Sequence, residues 1–275
     1  MFSEELKSEF KELIESVQIL YKFVDYDGAE KIIENGTLLI KNPINFNDPY
    51  DCHPKLINYN SIPNQYIKNL INKQYPDISR NERRKKQLEA IKTSKNKLVD
   101  FINTDHMEME RNLKGVTCFS KKNLDLLMWS MYADSHKGLC LGFNLEKLFR
   151  SLISMNKFDE TTILNVKYTN ELKPNNYFED PLKAVVEWLR TKSHEWRYED
   201  EIRIVFSPFQ ESKGKLGLVS FDLSVIEEIY FGCNVTENNE EKIIDKIKQK
   251  GLKSTFYKVS LNENKYKLEV NKKCC

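Results

Sequence analysis

Short apolar runs of strand character alternate with helical stripes along almost the whole 275-residue chain, and no other feature restricts its fold as much. Strand patterns occupy residues 19–24, 37–40, 115–120, 138–143, 163–168, 199–206, 216–221, 226–231, 255–261 and 266–270. Between them, apolar residues recur at helical spacing: Leu6, Phe10, Leu13, Ile14 and Val17 first, then Ala29, Ile32 and Ile33. Gly36 stands where a helix C-terminal glycine belongs. Asn123 is expected to cap a helix whose apolar side is Leu124, Leu127, Met128 and Met131. Asp180-Pro181 opens another in cap-then-proline order, with Leu182, Val185, Val186 and Leu189 as its stripe. Further helices are expected from Leu145 and from Glu237, the second ending at Gly251. The pattern predicts one α+β domain over residues 1–275, with a mixed, mostly antiparallel sheet core covered by helices.

Residues 61–114 break the alternation. They hold 12 Lys or Arg against 7 Asp or Glu, hence +5, and no glycine or tryptophan. The rest of the chain sums to −3, so the overall +2 is a cancellation. The segment reads as a charged helical lobe inserted in the domain, densest at Arg83-Arg84-Lys85-Lys86. Two readings stay open: a solvated helix face, or an electrostatic contact for an acidic partner such as nucleic acid. The near-neutral total excludes a protein that coats nucleic acid over its whole surface.

The 40% hydrophobic content excludes a disordered chain. No apolar run approaches the ~18 residues of a membrane span, so no membrane partner is expected. Met1-Phe2-Ser3-Glu4-Glu5 has neither a basic region nor an apolar core, so a cytoplasmic location is expected rather than a signal peptide. The cysteines at 52, 118, 140, 233, 274 and 275 include no CxxC pair. They read as free thiols in a reducing compartment, with Cys274-Cys275 on an exposed tail.

Four groups of residues could carry chemistry. On a strand, Glu199, Glu201 and Arg203 share one face, while Ile202, Ile204 and Phe206 share the other. That polar face is either a surface ion pair or a cleft. In a cleft, one carboxylate stabilises a cationic transition state, the other orients or deprotonates a nucleophile, and Arg203 keeps its neighbour ionised. Trp129, Tyr132, His136 and Lys137 form either core packing or a stacking wall with two groups that reach phosphate or ribose oxygens. The loop Phe46-Asn47-Asp48-Pro49-Tyr50-Asp51 is a self-capping turn or a set of hydrogen-bonding groups for a sugar or amide. Leu20-Tyr21-Lys22-Phe23 is an early strand with polar tips. No P-loop, GxGxxG, HExxH or GxSxG motif is present, and His53, His106, His136 and His194 lack metal-ligand spacing. No metal site is expected.

With those residues in view, the chain resembles a bacterial family, the domain-of-unknown-function 2971 group, whose members look associated with phage defence and abortive infection. The resemblance rests on Leu20-Tyr21-Lys22-Phe23, Phe46-Asn47-Asp48-Pro49-Tyr50-Asp51, Val116-Thr117-Cys118-Phe119-Ser120 and Met128-Trp129-Ser130-Met131-Tyr132-Ala133. It continues in His136-Lys137-Gly138-Leu139-Cys140-Leu141-Gly142-Phe143 and Trp196-Arg197-Tyr198-Glu199-Asp200-Glu201-Ile202-Arg203. In layout the chain is also distantly similar to ADP-ribosyltransferases, which carry an early strand with a polar NAD contact and a late strand with a catalytic Glu-x-Glu. It departs from them in having no Ser-Thr-Ser middle strand. That similarity implies NAD as substrate, a toxin-like transferase or NAD glycohydrolase, and a possible macromolecular acceptor. Glu201 would be the catalytic carboxylate, with Glu199 second and Arg203 beside them. Tyr21, Lys22, Asn47, Asp48, Trp129, Tyr132, His136 and Lys137 would line the NAD pocket. Two other expectations remain: a metal-dependent nuclease or transferase acting on nucleic acid, and a non-catalytic nucleotide sensor.

Overall fold

The computed structural model describes residues 4–60, 62–93, 107–209 and 217–273. The side chain of Leu6, residues 94–106 of the basic segment, Leu216 and Cys274-Cys275 lie outside the described residues. The strands in chain order are β1 Ile19–Val24, β2 Thr37–Ile40, β3 Ile57–Asn58, β4 Gly115–Ser120, β5 Leu139–Asn144, β6 Glu160–Asn165 and β7 Lys167–Thr169. They continue as β8 Asn175–Asn176, β9 Thr191–Ser193, β10 Glu201–Ser207, β11 Gly217–Ser220, β12 Ile226–Phe231, β13 Thr255–Leu261 and β14 Leu268–Lys272. Eight of these form one sheet in the order β14-β13-β12-β5-β1-β4-β10-β6, antiparallel throughout except for the parallel pair β12–β13. The α+β class and its mostly antiparallel sheet are as the sequence pattern predicts.

Each strand sends alternate side chains to opposite faces, and the two faces are packed differently. One carries Leu20, Phe119, Leu141, Phe143, Ile202, Ile204, Ile229 and Phe231 in a single continuous core. The helices Glu4–Ser16, Tyr26–Asn35, Leu145–Met155 and Glu237–Gln249 cover it. The second face holds two separate clusters. Phe23, Cys140, Tyr230 and Val259 pack against Met128 and Trp129 of the helix Leu126–Tyr132. Val116, Leu164 and Val205 pack against Ala184, Trp188 and Leu189 of the helix Pro181–Arg190. Ile62, Ile67 and Met107 of the basic segment join this second cluster, so the described part of that segment, helical at Asn64–Gln74 and Arg80–Thr93, is anchored by one apolar edge.

Several local expectations are met for the reasons given. Gly36 ends the helix Tyr26–Asn35 in the left-handed region (φ 63°), donating its amide to Ile32, and Asp180 caps Pro181–Arg190 by accepting from the Lys183 amide. Others need correction. The helix near 126 is capped by Asp125, not Asn123: its carboxylate accepts from the amides of Leu127 and Met128. Leu127 and Met131 are 51% and 54% exposed, so the expected apolar stripe is not the buried one. The helix has seven residues, and its rotation is set by Trp129, whose indole is fully buried and donates to the Asn123 carbonyl at 2.7 Å. The strand expected at 163–168 breaks at Val166 into β6 and β7, and the last strand lies at Leu268–Lys272. The strand expected from Glu199 starts at Glu201, because Asp200 takes a left-handed conformation (φ 45°) that ends a 3-10 turn over His194–Glu199.

One irregularity in the sheet matters for function. β1 pairs with β5 along all six residues, from Ile19↔Asn144 to Val24↔Leu139. On its other side it meets β4 at the single pair Tyr21↔Ser120. Further along β4, Val116 exchanges both backbone hydrogen bonds with Lys41, just beyond β2. Between these two tie points the strands stand apart.

Candidate active site in the parted sheet

A cavity of about 690 Å³ opens where β1 and β4 separate, within the range of small-molecule sites. Tyr21, Lys22 and Phe23 of β1 form one wall and Thr117, Cys118, Phe119 and Ser120 of β4 the facing one. Lys22 bridges the opening: its ammonium donates to the Cys118 carbonyl at 2.9 Å and to Thr117 Oγ1 at 3.2 Å. Its burial pushes its pKa down. Thr37 and Leu39 of β2, with Lys41 after them, lie at i, i+2 and i+4, and all three line the cavity together with Gly28, Lys31 and Ile32 from the helix Tyr26–Asn35.

Carboxylates close the other end. The pleat of β10 sends Glu201 and Arg203 to the second face, into the space between its two apolar clusters. Arg203 is fully buried and forks across two acids. Nη1 and Nη2 donate to Asp51 Oδ1 and Oδ2 at 2.8 and 2.6 Å, and Nε and Nη2 donate to Glu201 Oε1 and Oε2 at 2.7 and 3.2 Å. A further Nη1 bond reaches the Leu189 carbonyl at 2.8 Å. Lys192, delivered by β9, donates to Glu199 and to Glu201 Oε2 (2.9 Å), and lies 3.8 Å from Asp51. Tyr132 donates its hydroxyl to Glu199 Oε1 at 2.6 Å. Tyr168 accepts from the Glu201 amide at 2.8 Å, fixing the first residue of the strand.

The two glutamates therefore differ in state. Burial opposes ionisation of Glu201, but Arg203 and then Lys192 outweigh it and hold its carboxyl well below the ordinary 4.5. For Glu199, burial and the neighbouring Glu201 outweigh Lys192, and its carboxyl is raised above 4.5. Burial also opposes the charge on Lys192, yet Glu201, Glu199 and Asp51 hold it protonated well beyond the usual lysine range. Three carboxylates against Lys192 and Arg203 leave one negative charge in excess at this end of the cavity when all are ionised.

Of the residues expected from sequence, Tyr21, Lys22, Asn47, Tyr132, Glu199 and Glu201 all line this one cavity. Arg203 lies behind Glu201, outside the lining. Asp48 turns its loop instead, accepting from the Tyr50 amide at 2.9 Å. Trp129 has no cavity surface: it is core, edge-on to Phe23 with ring centroids 5.3 Å apart. His136 stacks on the Trp129 ring from a left-handed turn (φ 67°), and the following Lys137 is exposed. The expected stacking wall thus reduces to Tyr132. Asp51 and Lys192, central to the charge network, were absent from the expected site. Asp51 belongs to a loop the sequence singled out, whereas nothing local marks Lys192, a lone lysine before a 3-10 turn.

Among the described residues no group of three or more His, Cys, Asp or Glu side chains is arranged to hold a metal ion. Lys192 and Arg203 occupy the space between the carboxylates that a divalent cation would take. In the basic segment, Arg83 donates to the carbonyls of Tyr75, Pro76 and Ile78, and Lys86 lies 4.4 Å from the Tyr75 ring centroid. Half of the densest basic run is therefore engaged in joining its own two helices. No helix among the described residues is long and apolar enough to cross a membrane.

No curated protein and no solved structure matches the chain. Residues 128–204, which carry Tyr132, Lys192, Glu199, Glu201 and Arg203, match the family model described as "Protein of unknown function (DUF2971)". The similarity to the domain-of-unknown-function 2971 family is thus shown for this segment, which holds most of the charge network.

Proposed function

We propose that this protein is an enzyme that breaks the N-glycosidic bond of a nicotinamide nucleotide, with NAD⁺ as substrate, and passes the ADP-ribosyl group to water or to a macromolecular acceptor. The observation that carries the reading is the closed end of the cavity. Two adjacent carboxylates there have opposite ionisation behaviour and share one uncompensated negative charge. Paired carboxylates with divergent pKa values divide acid–base and electrostatic work between them.

In this mechanism the bond from ribose C1′ to the nicotinamide nitrogen breaks, and its electron pair leaves with neutral nicotinamide. The oxocarbenium character that develops at C1′ is stabilised by the excess negative charge of the network. The similarity to ADP-ribosyltransferases implies a catalytic Glu201; the geometry favours a division of labour. Glu201 is engaged by Arg203 through both oxygens and by Lys192 through one, so it acts as a fixed charge. Each Glu199 oxygen has one partner, Tyr132 or Lys192, which leaves lone pairs to accept a proton from the incoming water or hydroxyl group. Depletion of NAD⁺ or modification of an essential molecule by such an enzyme fits the toxin-like role in phage defence implied by the resemblance.

The test is release of nicotinamide from NAD⁺ by the purified protein, with and without cell extract as a source of acceptors. Glu199→Gln is expected to lower turnover by about 10²-fold or more, in line with loss of a general base. Wild-type protein that leaves NAD⁺ intact in the presence of extract sinks the proposal.

A further inference from the structure

The carboxylate end accounts for half of the cavity; the other half has the opposite charge. Lys22, Lys31 and Lys41 line it together with Asp25, whose Oδ1 already accepts from the Gly28 amide at 2.7 Å. Lys31 and Lys41 are exposed and form no ion pair among the described residues. Lys22 is half-buried, and its ammonium meets neutral acceptors, the Cys118 carbonyl and Thr117 Oγ1, with the Phe119 ring centroid 5.0 Å away. A partly desolvated cation held by neutral dipoles beside a second lysine gains most from an anion entering the same space.

The distance along the cavity also fits. Glu201 pairs with Ser120 and Lys41 with Val116, so the two ends are four residues apart on β4. At a strand rise of about 3.3 Å per residue that is roughly 13 Å between backbone levels. The lysine and glutamate side chains shorten this by reaching inward, leaving a span that a ribose and its attached phosphates can bridge.

We infer that Lys22, Lys31 and Lys41 form a phosphate-binding subsite, which holds the diphosphate of a nucleotide whose ribose lies at Glu199 and Glu201. The inference rests on the glycosidic reading for the orientation of the ligand. It predicts that phosphate-free nicotinamide riboside is a much poorer substrate than NAD⁺.

The experiment uses the full-length protein and two probes, inorganic pyrophosphate and ADP-ribose, titrated by calorimetry. It compares wild type, a Lys31→Ala/Lys41→Ala variant, and a charge-matched control, Lys242→Ala/Lys248→Ala, two exposed lysines of the helix Glu237–Gln249 outside the cavity lining. Loss of two cationic contacts is expected to weaken both probes by about tenfold or more, with the control unchanged and affinity falling as salt is added. Equal weakening in both double variants, or none in either, overturns the subsite. If wild type leaves NAD⁺ intact yet binds pyrophosphate in a Lys31/Lys41-dependent way, the subsite stands and the glycosidic reading falls. If Lys31→Ala/Lys41→Ala cleaves NAD⁺ with an unchanged KM, the subsite falls and the cleavage reading stands.

Discussion

Arg203→Met is the sharpest single perturbation of this molecule. Methionine fills much of the arginine stem's volume, so the change removes charge and donors more than it removes packing. Six bonds are lost: two to Asp51 (2.8 and 2.6 Å), two to Glu201 (2.7 and 3.2 Å), one to the Leu189 carbonyl (2.8 Å) and a longer one to Cys52 Sγ (3.5 Å). Lys192 is then the one cation left among three nearly inaccessible carboxylates. Removing one partner from a buried ion pair costs about 3–5 kcal/mol, because the abandoned charge cannot return to water. Against a typical total of roughly 5–15 kcal/mol, that is a large share of the folding free energy. Melting temperature should fall by roughly 5–9 °C for a chain of this size. Arg203→Lys should fall in between, since an ammonium cannot fork to Asp51 and Glu201 together. The assay is urea and thermal denaturation of the two variants, of Asp51→Asn and of the Arg203→Met/Asp51→Asn double mutant. The double mutant should be less unstable than the sum of the singles, because each single mutation strands a charge that the double removes. A loss under about 1 kcal/mol for Arg203→Met, the level of an exposed pair, would refute the buried-keystone reasoning.

Two further outcomes are expected. Stability conferred by Glu201, whose folded pKa is depressed, is fully present above pH 4.5 and drains away as pH falls through that lower value; activity that needs ionised Glu199, whose pKa is raised, falls off on the acid side with a midpoint above 4.5. Turnover and melting temperature recorded against pH on the same samples should therefore show separate limbs, and coincident limbs would contradict the two assignments. Trp129→Phe should cost about 1–3 kcal/mol through its lost bond to the Asn123 carbonyl and a smaller ring, yet leave the KM for NAD⁺ unchanged, because this indole does not line the cavity; a KM that rises several-fold at unchanged kcat would put Trp129 back in the site.

How far the sequence could be read depended on the range of the forces involved. The alternation in β10 was legible because the period of a strand is local: Ile202, Ile204 and Phe206 had to share a face, and Arg203 had to share the other with Glu201. The rotation of the helix Leu126–Tyr132 was not, because apolar residues lie on every side of this short helix and burial of one indole decided the outcome. Glu199 could be placed near Glu201 from spacing alone, but the left-handed Asp200 that separates them is a tertiary effect: its carbonyl accepts from the Lys121 amide and its carboxylate pairs with the Lys121 ammonium at 2.8 Å. Asp51 and Arg203 stand 152 residues apart and Lys192 lies on a third segment, so their union belongs to topology and leaves no local pattern.

The parting of β1 from β4 has a mechanical consequence. The eight-stranded sheet amounts to two plates, β14-β13-β12-β5-β1 and β4-β10-β6, whose backbones pair at one position, Tyr21↔Ser120, and which the Lys22 side chain ties through Thr117 and Cys118. A ligand that touches Lys22 on one plate and Glu201 on the other adds a further fastener across the seam. Occupancy should then slow amide hydrogen exchange in both β1 and β4, while strands deep within either plate, such as β13, keep their rates.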